Sequence, residues 1–362
     1  MKNPYKTYRM KLITLSPIFI GSGGSSDLSC LQYVLTDNEL KIIDESKLMN
    51  FLIKTNLLDD FLKFVTTTQY NSNEKKIAGN LSNWINENFR NKTLDIYSRS
   101  YKLTRIVKRN LNEIKTFIKN ADGKPYIPGS SIKGAIRTAI YADLINSNVD
   151  NVEELLKKEM SYIKISDSLP ISTEHLMFRQ TQHQQLIKDN NSLKRNGYYR
   201  IDKKIMNVDN NLKEILREGI ISRFSLTIKN GFRYDIDTLQ KVLSDFYGKV
   251  LEENKCLDEI DNRFKTHINL QTGETPNINI GGQSGFNTKI ILRSLSNSEH
   301  EYQERKKIPL QVFKKHHHNE EPIAPRCLKV VERYKQDSNV LMPLGWCNLS
   351  VEKEIDVSDI TD

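Results

Sequence analysis

The sequence predicts a mixed α+β protein whose antiparallel sheets are covered on one face by helices, and three observations carry that reading. Strand-like alternation and helix-like periodicity both recur along the 362 residues, at wide spacing. The dense βαβ rhythm of a doubly wound parallel sheet is missing. The length is large for one compact unit, so two are expected, residues 1–200 and 201–362.

Each element follows in order. Tyr8, Met10 and Leu12 alternate with Arg9 and Lys11, and the run turns apolar through Ile13, Leu15, Ile18 and Phe19. This is a half-buried strand entering a core and bent at Pro17. It ends in Gly21-Ser22-Gly23-Gly24-Ser25-Ser26, where glycine permits positive φ. From about Ser46 to Phe89 the period is helical. Leu48, Phe51 and Leu52 share a face, then Leu58, Phe61, Leu62 and Val65. A second, short helix carries Leu81, Trp84, Ile85 and Phe89 behind Asn80 as N-cap. Two helices between strands read as an insertion, which with the basic run after it covers 45–120.

Residues 99–119 hold seven basic residues against the single acid Glu113. The second half of this run sets Ile114, Thr116 and Ile118 against Lys115, Phe117 and Lys119, then turns at Ala121-Asp122-Gly123. Ser130 to Leu144 is a helix with Ile132, Ala135, Ile136, Ala139 and Ile140 on its apolar face. Strands follow at Tyr162–Ser166 and His175–Thr181. Residues 182–211, rich in Asn, Gln and Lys, read as a mobile loop or a partly disordered segment. Phe224, Leu226 and Ile228 then alternate with Arg223, Ser225 and Thr227. A helix from Asp237 buries Leu239, Val242, Leu243, Phe246 and Val250. Asn277–Ile280 begins a strand, Trp346–Val351 closes the fold, and the acidic end after Asp356 frays.

Lys and Arg number 54 against 45 acidic residues, a net charge of +9. Such a chain suits a polyanionic partner, RNA or DNA first, ahead of a basic surface kept for solubility. Cys30, Cys256, Cys327 and Cys347 have no CxxC spacing, which argues against a zinc ribbon or a disulfide framework and suits a reducing cytoplasm. No apolar run approaches the ~18 residues of a membrane span, and the first residues lack the apolar stretch of a signal peptide. His316-His317-His318 diverge on an extended loop with no spaced companions, so neither a metal nor another cofactor is expected.

The sharpest segment is Tyr126-Ile127-Pro128-Gly129-Ser130-Ser131-Ile132-Lys133-Gly134-Ala135-Ile136-Arg137. Ser130 or Ser131 is placed to cap the helix, leaving first-turn N–H groups pointing outward with partial positive charge. Lys133 and Arg137, four apart, share the face above them. A phosphate suits such a helix end, and a plain capped helix without ligand explains the same residues. Gly281, Gly282, Gln283, Ser284 and Gly285, with Lys289 just beyond, let a phosphate approach backbone N–H groups, or form a simple turn. The basic run, with Arg105, Lys108 and Arg109 at its centre, reads as an RNA groove or a solvated face.

The stretch Pro128-Gly129-Ser130-Ser131-Ile132-Lys133-Gly134-Ala135-Ile136-Arg137-Thr138 closely resembles the signature helix of the RAMP proteins of type III CRISPR systems. Leu15-Ser16-Pro17-Ile18-Phe19-Ile20-Gly21-Ser22-Gly23 looks like their first strand and loop. Ile165-Ser166-Asp167-Ser168-Leu169-Pro170 resembles the strand after the helix, and Gly281 to Phe286 their glycine-rich loop. The region after about 295 matches weakly. The Ser166-to-Pro170 stretch and the Arg217-Glu218 pair look most like the fifth subunit of the Csm complex.

This resemblance implies two ferredoxin-like (RRM-like) domains, a helical insertion in the first and the glycine-rich loop in the second. It implies a non-catalytic RNA-binding subunit of a type III-A interference complex. That subunit would bind and cap the 3′ region of the crRNA and would be needed for its 3′-end maturation and for assembly. The implied partners are crRNA, a neighbouring RAMP backbone subunit, the small helical subunit, host nucleases that trim crRNA and, indirectly, target RNA, with no membrane. The implied RNA-binding residues are Gly21, Gly23, Arg105, Lys108, Arg109, Gly129, Ser130, Ser131, Lys133, Arg137, Gly281, Gly282, Gln283, Ser284, Gly285 and Lys289. Neither RRM aromatic motif is obvious, so contacts to the RNA backbone are expected to dominate.

RAMP relatives include ribonucleases, so an endoribonuclease is the rival reading, and another RAMP backbone subunit the third. His175 and His183 are the candidate bases, flanked by Glu174 and by glutamines, with no evident partner to tune them. Asp27, in the Gly/Ser loop, is the one tempting carboxylate and shows no metal-ligand companion in the sequence. No catalytic residue is expected.

Overall fold

The computed structural model describes residues 4–24, 26–36, 39–70, 81–89, 93–103, 113–187, 200–255, 274–282, 288–289, 327–332 and 341–355. The chain runs through β1 (Tyr5–Thr14), β2 (Leu28–Ser29), β3 (Tyr33–Leu35), β4 (Glu39–Ile43), α1 (Glu45–Lys54), α2 (Leu58–Tyr70) and α3 (Leu81–Asn88). It continues through β5 (Tyr97–Lys102), β6 (Glu113–Lys115), α4 (Gly129–Asn146), α5 (Val152–Ser161), β7 (Ile163–Ile165), β8 (Leu176–Ile187) and β9 (Arg200–Leu216). Then come β10 (Ile221–Lys229), α6 (Ile236–Lys255), β11 (Ile278–Asn279), β12 (Cys327–Glu332), β13 (Leu341–Pro343) and β14 (Trp346–Ile355). The mixed α+β class is as the sequence predicts.

The central sheet has the order β11-β14-β1-β10-β7, every pair antiparallel. It draws strands from both sides of residue 200. Register follows the hydrophobic alternation. Met10 lies opposite Phe224 and Tyr8 opposite Leu226, so the apolar side chains of neighbouring strands share one face. A one-residue slip would turn all of them to solvent. α4 and α6 cover that face through Ile132, Ala135, Ile136, Ala139 and Ile140 on one helix and Leu239, Val242, Leu243 and Phe246 on the other, all buried. Each fully buried Ile or Leu contributes about 1.5–3 kcal/mol. The phenol of Tyr247, itself fully buried, donates to the Ala135 carbonyl at 3.1 Å and ties α6 to α4.

A second sheet, β13-β12-β8-β9-β6-β2, is built on the long β8–β9 ladder. Here the sequence reading is corrected. Gln182–Ile187 and Arg200–Asn211 are strand, paired from Gln182↔Val208 to Ile187↔Arg200, and not loop. The Gln, Asn and Lys residues here carry no apolar alternation to announce a strand, but tertiary context overrides that weak local preference and the ladder forms through backbone hydrogen bonds.

β3, β4 and β5 form a third sheet, capped by α1–α3 around a separate core of Val34, Ile43, Leu48, Leu52, Leu81, Trp84, Ile85, Phe89 and Ile96. Three helices stand here where two are expected. The break falls at Asn56, whose φ of +54° is left-handed, directly after the Thr55 cap. Leu62, placed by the sequence on the buried stripe, is half exposed, and Phe64 turns toward Trp84 instead. The expected Asn80 cap and the acidic end lie outside the described residues.

Candidate nucleic-acid interface

The four motif segments meet in two pairs over one core that contains Ile18, Ile20, Ile127, Ile132 and Ile280. In the first pair, the Gly282 N–H donates to the Phe19 carbonyl at 2.7 Å. A Cβ on Gly281, which sits at φ +86°, would fall 2.4 Å from that same oxygen. The glycine is therefore required by the approach of one backbone to another within the chain. Gly21 pairs with Phe117, and Gly23 is demanded only by its φ of +81°. Gln283, Ser284 and Gly285 lie outside the described residues, and Lys289 is exposed on a turn.

In the second pair, the N-terminus of α4 rests on the end of β7. A Cβ on Gly129 would meet the Ile165 carbonyl at 2.4 Å and the Ser166 carbonyl at 2.7 Å. The expected Ser130 or Ser131 cap is not found. Pro128 occupies the cap position without a side-chain hydrogen bond, because its fixed φ begins the helix one residue earlier. The Gly129 N–H donates to the Asp167 carboxylate at 2.8 Å, and the Ser131 N–H to the Pro128 carbonyl. The favourable charge at this helix end is thus met from within the chain. Ser168 fixes the arrangement: its N–H donates to the Ile127 carbonyl and its hydroxyl accepts from the Ile127 N–H, both at 2.9 Å.

Lys133 is also redirected. Its ammonium donates to the Ile163 carbonyl at 2.8 Å, away from the first-turn N–H groups. With exposed Arg137 it lines a groove between α4 and α5, where Glu153, Glu154 and Lys157 stand opposite. Arg105, Lys108 and Arg109 lie outside the described residues. Of the neighbouring run, Phe117 is fully buried together with Ile114, so it does not face outward with the lysines.

Two nearly buried carboxylates clamp the segment 115–119. Asp27, 4% exposed at its side chain, accepts from Lys115 at 2.8 Å and from the Thr116 N–H at 2.9 Å. Glu214, equally buried, accepts from the Phe117 N–H at 3.0 Å and from Lys119. The Thr116 hydroxyl donates to the Ser26 carbonyl at 2.9 Å. Asp27 therefore sits in a pinned loop with companions that the sequence did not reveal. Hydrogen bonds to Asp27 and then Glu113 hold the Lys115 ammonium above its ordinary range. His175 also has a partner: its Nδ1 lies 3.0 Å from Arg217, 42 residues away in sequence. Burial, then the Arg217 charge, hold the imidazole below its ordinary pKa. The guanidinium has donors only, so Nδ1 accepts in this contact. The His183 side chain and His316–His318 lie outside the described residues. Among the described residues no three His, Cys, Asp or Glu are grouped to hold a metal, and no helix is long and apolar enough to cross a membrane.

The chain is similar to several known proteins. Three curated relatives carry the name CRISPR system Cms protein Csm5. The Streptococcus thermophilus protein is 29% identical over 213 residues, covering 50% of this chain and 56% of its own length. The Enterococcus italicus protein is 27% identical over 256 residues, covering 67% and 65%. The Methanocaldococcus jannaschii protein is 29% identical over 192 residues, covering 46% and 44%. The chain thus spans less than two thirds of each relative it matches. The fold is similar to that of a chain in a cryo-EM structure of a Csm–crRNA–target RNA ternary complex of a type III-A CRISPR-Cas system. That match has a TM-score of 0.64 and 18% identity, covering 95% of this chain and 100% of that one. It is also similar to the crystal structure of T. onnurineus Csm5, with a TM-score of 0.56 and 18% identity over 93% and 99% of the two chains. Residues 11–317 match the RAMP superfamily, and to that superfamily the chain belongs.

Proposed function

We propose that this chain is a non-catalytic, crRNA-binding subunit of a type III-A (Csm) interference complex, and that it caps the 3′ region of the guide. The observation that carries the reading is the knitting together of the motif segments while two of the three candidate cleaving groups are engaged elsewhere. Asp27 is held by Lys115 and Thr116, and His175 is held by Arg217. A general base needs an accessible lone pair near its substrate, and neither group offers one. The Csm5 relatives support the assignment to this subunit.

On this reading the partners are crRNA, the adjoining RAMP backbone subunit and the small helical subunit, and the chain carries two ferredoxin-like units whose strands are not divided at residue 200 in the central sheet. The purified chain is incubated with end-labelled guide RNA, with and without EDTA. The expected result is a retained, uncut RNA in both conditions. Cleavage abolished by Asp27→Ala or His175→Ala would install the ribonuclease reading instead. In cells, deleting the chain is expected to change guide length at the 3′ end, and an unchanged length distribution would remove the capping role.

A further inference from the structure

The helices cover one face of the central sheet, and the other face is basic. Register places Arg9 opposite Ser225, Lys11 opposite Arg223, Tyr5 opposite Lys229 and Lys164 opposite Thr227. These residues alternate with Tyr8, Met10, Phe224, Leu226 and Ile228, which are buried under the helices, so their side chains leave the sheet on the open side. Arg9, Lys164, Arg223 and Lys229 are exposed and Lys11 is half-buried. Two carboxylates meet this surface: Glu352 accepts from Arg223 at 2.9 Å, and Glu274 lies 3.9 Å from Lys11. Among the described residues no ion pair engages Arg9, Lys164 or Lys229.

The floor between the cations is small and polar. Thr7 and Thr227 share a hydroxyl–hydroxyl hydrogen bond of 3.1 Å, and Ser225 follows on the same side. Tyr5 at 40% exposure and Ile221 at 51% stand at the two ends, Leu169 at 66% stands at the rim beside Arg223, and the half-buried Ile355 of β14 lies opposite Thr7. A protein partner would want an apolar anchor near the middle of such a patch. A nucleic-acid strand wants spaced cations over a flat polar floor, with an aromatic ring for a base at one end.

We propose that this open sheet face is a second RNA surface, along which the phosphates of a single strand run from Lys11 and Arg223 past Arg9 to Lys164 and Lys229. The offset between Arg223 and Lys229 along β10 makes the track about 20 Å long at ~3.4 Å per residue. The surface lies across the sheet from α4. The proposal rests on the RNA-binding reading above and adds the open sheet face beside the Ile165–Pro170 segment, whose Ser166 and Leu169 N–H groups donate to the Ser225 and Arg223 carbonyls at 3.0 Å.

The test uses the full chain, a fluorescent single-stranded guide RNA and anisotropy titrations from low to high KCl. One variant carries Arg9→Glu, Lys164→Glu and Lys229→Glu. A control of equal charge change carries Lys63→Glu, Lys241→Glu and Lys249→Glu on the helices. Single strands lose a slope of about 0.7 per phosphate contact. The sheet variant is therefore expected to lower the log K against log salt slope by roughly 2 and the affinity at ~0.1 M salt on the order of a hundredfold, with the control close to wild type. Should circular dichroism show the sheet variant unfolded, the Gln versions of the three positions are read instead, with the same expected slope change.

Equal affinity of wild type and sheet variant overturns this surface and leaves the RNA-binding reading standing. Equal loss in both variants overturns it as well, because only net charge would then matter. Unchanged RNA affinity with loss of partner subunits on co-purification assigns the face to an acidic protein and overturns the proposal. Absence of RNA binding by wild type brings down the underlying reading itself.

Discussion

Gly281 and Gly282 are adjacent, but alanine at the two positions is expected to behave very differently. At Gly281 the backbone has φ +86°, where a Cβ crowds the neighbouring carbonyl at about 1–2 kcal/mol. The added Cβ also falls 2.4 Å from the Phe19 oxygen. Relief means moving that carbonyl, which accepts the Gly282 N–H at 2.7 Å, a bond with a net worth of about 0.5–1.5 kcal/mol. Together Gly281→Ala is expected to destabilise by about 3 kcal/mol. At Gly282 the nearest atom to a Cβ is a Phe19 ring carbon at 3.6 Å, ordinary contact, so Gly282→Ala is expected to stay within about 0.5 kcal/mol of wild type. Urea unfolding followed by tryptophan fluorescence compares them, since Trp346 is fully buried beside this site and reports its loss. A Gly281→Ala midpoint equal to wild type, or a Gly282→Ala loss of the same size, would refute the claim that backbone approach to Phe19 sets the glycine.

Asp27→Ala leaves the Thr116 N–H without its acceptor and Lys115 with Glu113 alone, and is expected to lower stability by about 2 kcal/mol without altering any RNA turnover; calorimetry and a cleavage assay read the two. Asp167→Ala removes the acceptor at the start of α4 and is expected to cost about 1 kcal/mol, with thermal melting as the check. The folded-state pKa of His175 is depressed, so the unfolded chain binds the proton more tightly. Its contribution is present above its ordinary pKa near 6.5 and is lost as pH falls through that value toward the folded pKa. A His175→Gln variant is expected to show a flatter decline of urea midpoint between pH 7.5 and 5.5, and identical profiles would dismiss the Arg217 contact as a source of pH dependence. Guide binding through three to five phosphates gives a log–log salt slope of roughly −2 to −3.5, and a slope near zero would remove the backbone-contact picture.

Much of this architecture was legible because burial imposes a period on the sequence. β10 alternates residue by residue, and the apolar faces of α4 and α6 repeat every three to four, because each presents one side to the core. The strand extensions of β8 and β9 were not legible, since Gln, Asn, Asp and Lys are frequent in them and their few apolar residues do not alternate regularly along the ladder. The helix cap was missed for a different reason. Asp167 reaches Gly129 from 38 residues away, and no local rule for Ser130 or Ser131 anticipates an acceptor supplied by tertiary structure. The same distance hid the partners of Asp27, 88 residues from Lys115, and of His175. The motif glycines were legible as special, but their reason was not. Gly129 and Gly281 are crowded by this chain's own carbonyls.

The position of β1 has a consequence for synthesis on the ribosome. Its two neighbours in the sheet are β10 and β14, and the Trp346 N–H that donates to the Ser16 hydroxyl stands 330 residues downstream. At about 5–20 residues per second, the first strand emerges roughly 15–70 s before its last neighbour. Through that interval Met10 and Leu12 have no completed sheet to enter, and an unpaired strand edge is a template for pairing with another chain. Such long-range pairing also slows folding once the chain is free. Arg9 and Lys11, alternating with those apolar residues, give the waiting strand a charge on every second side chain, which is the pattern that discourages edge-to-edge association.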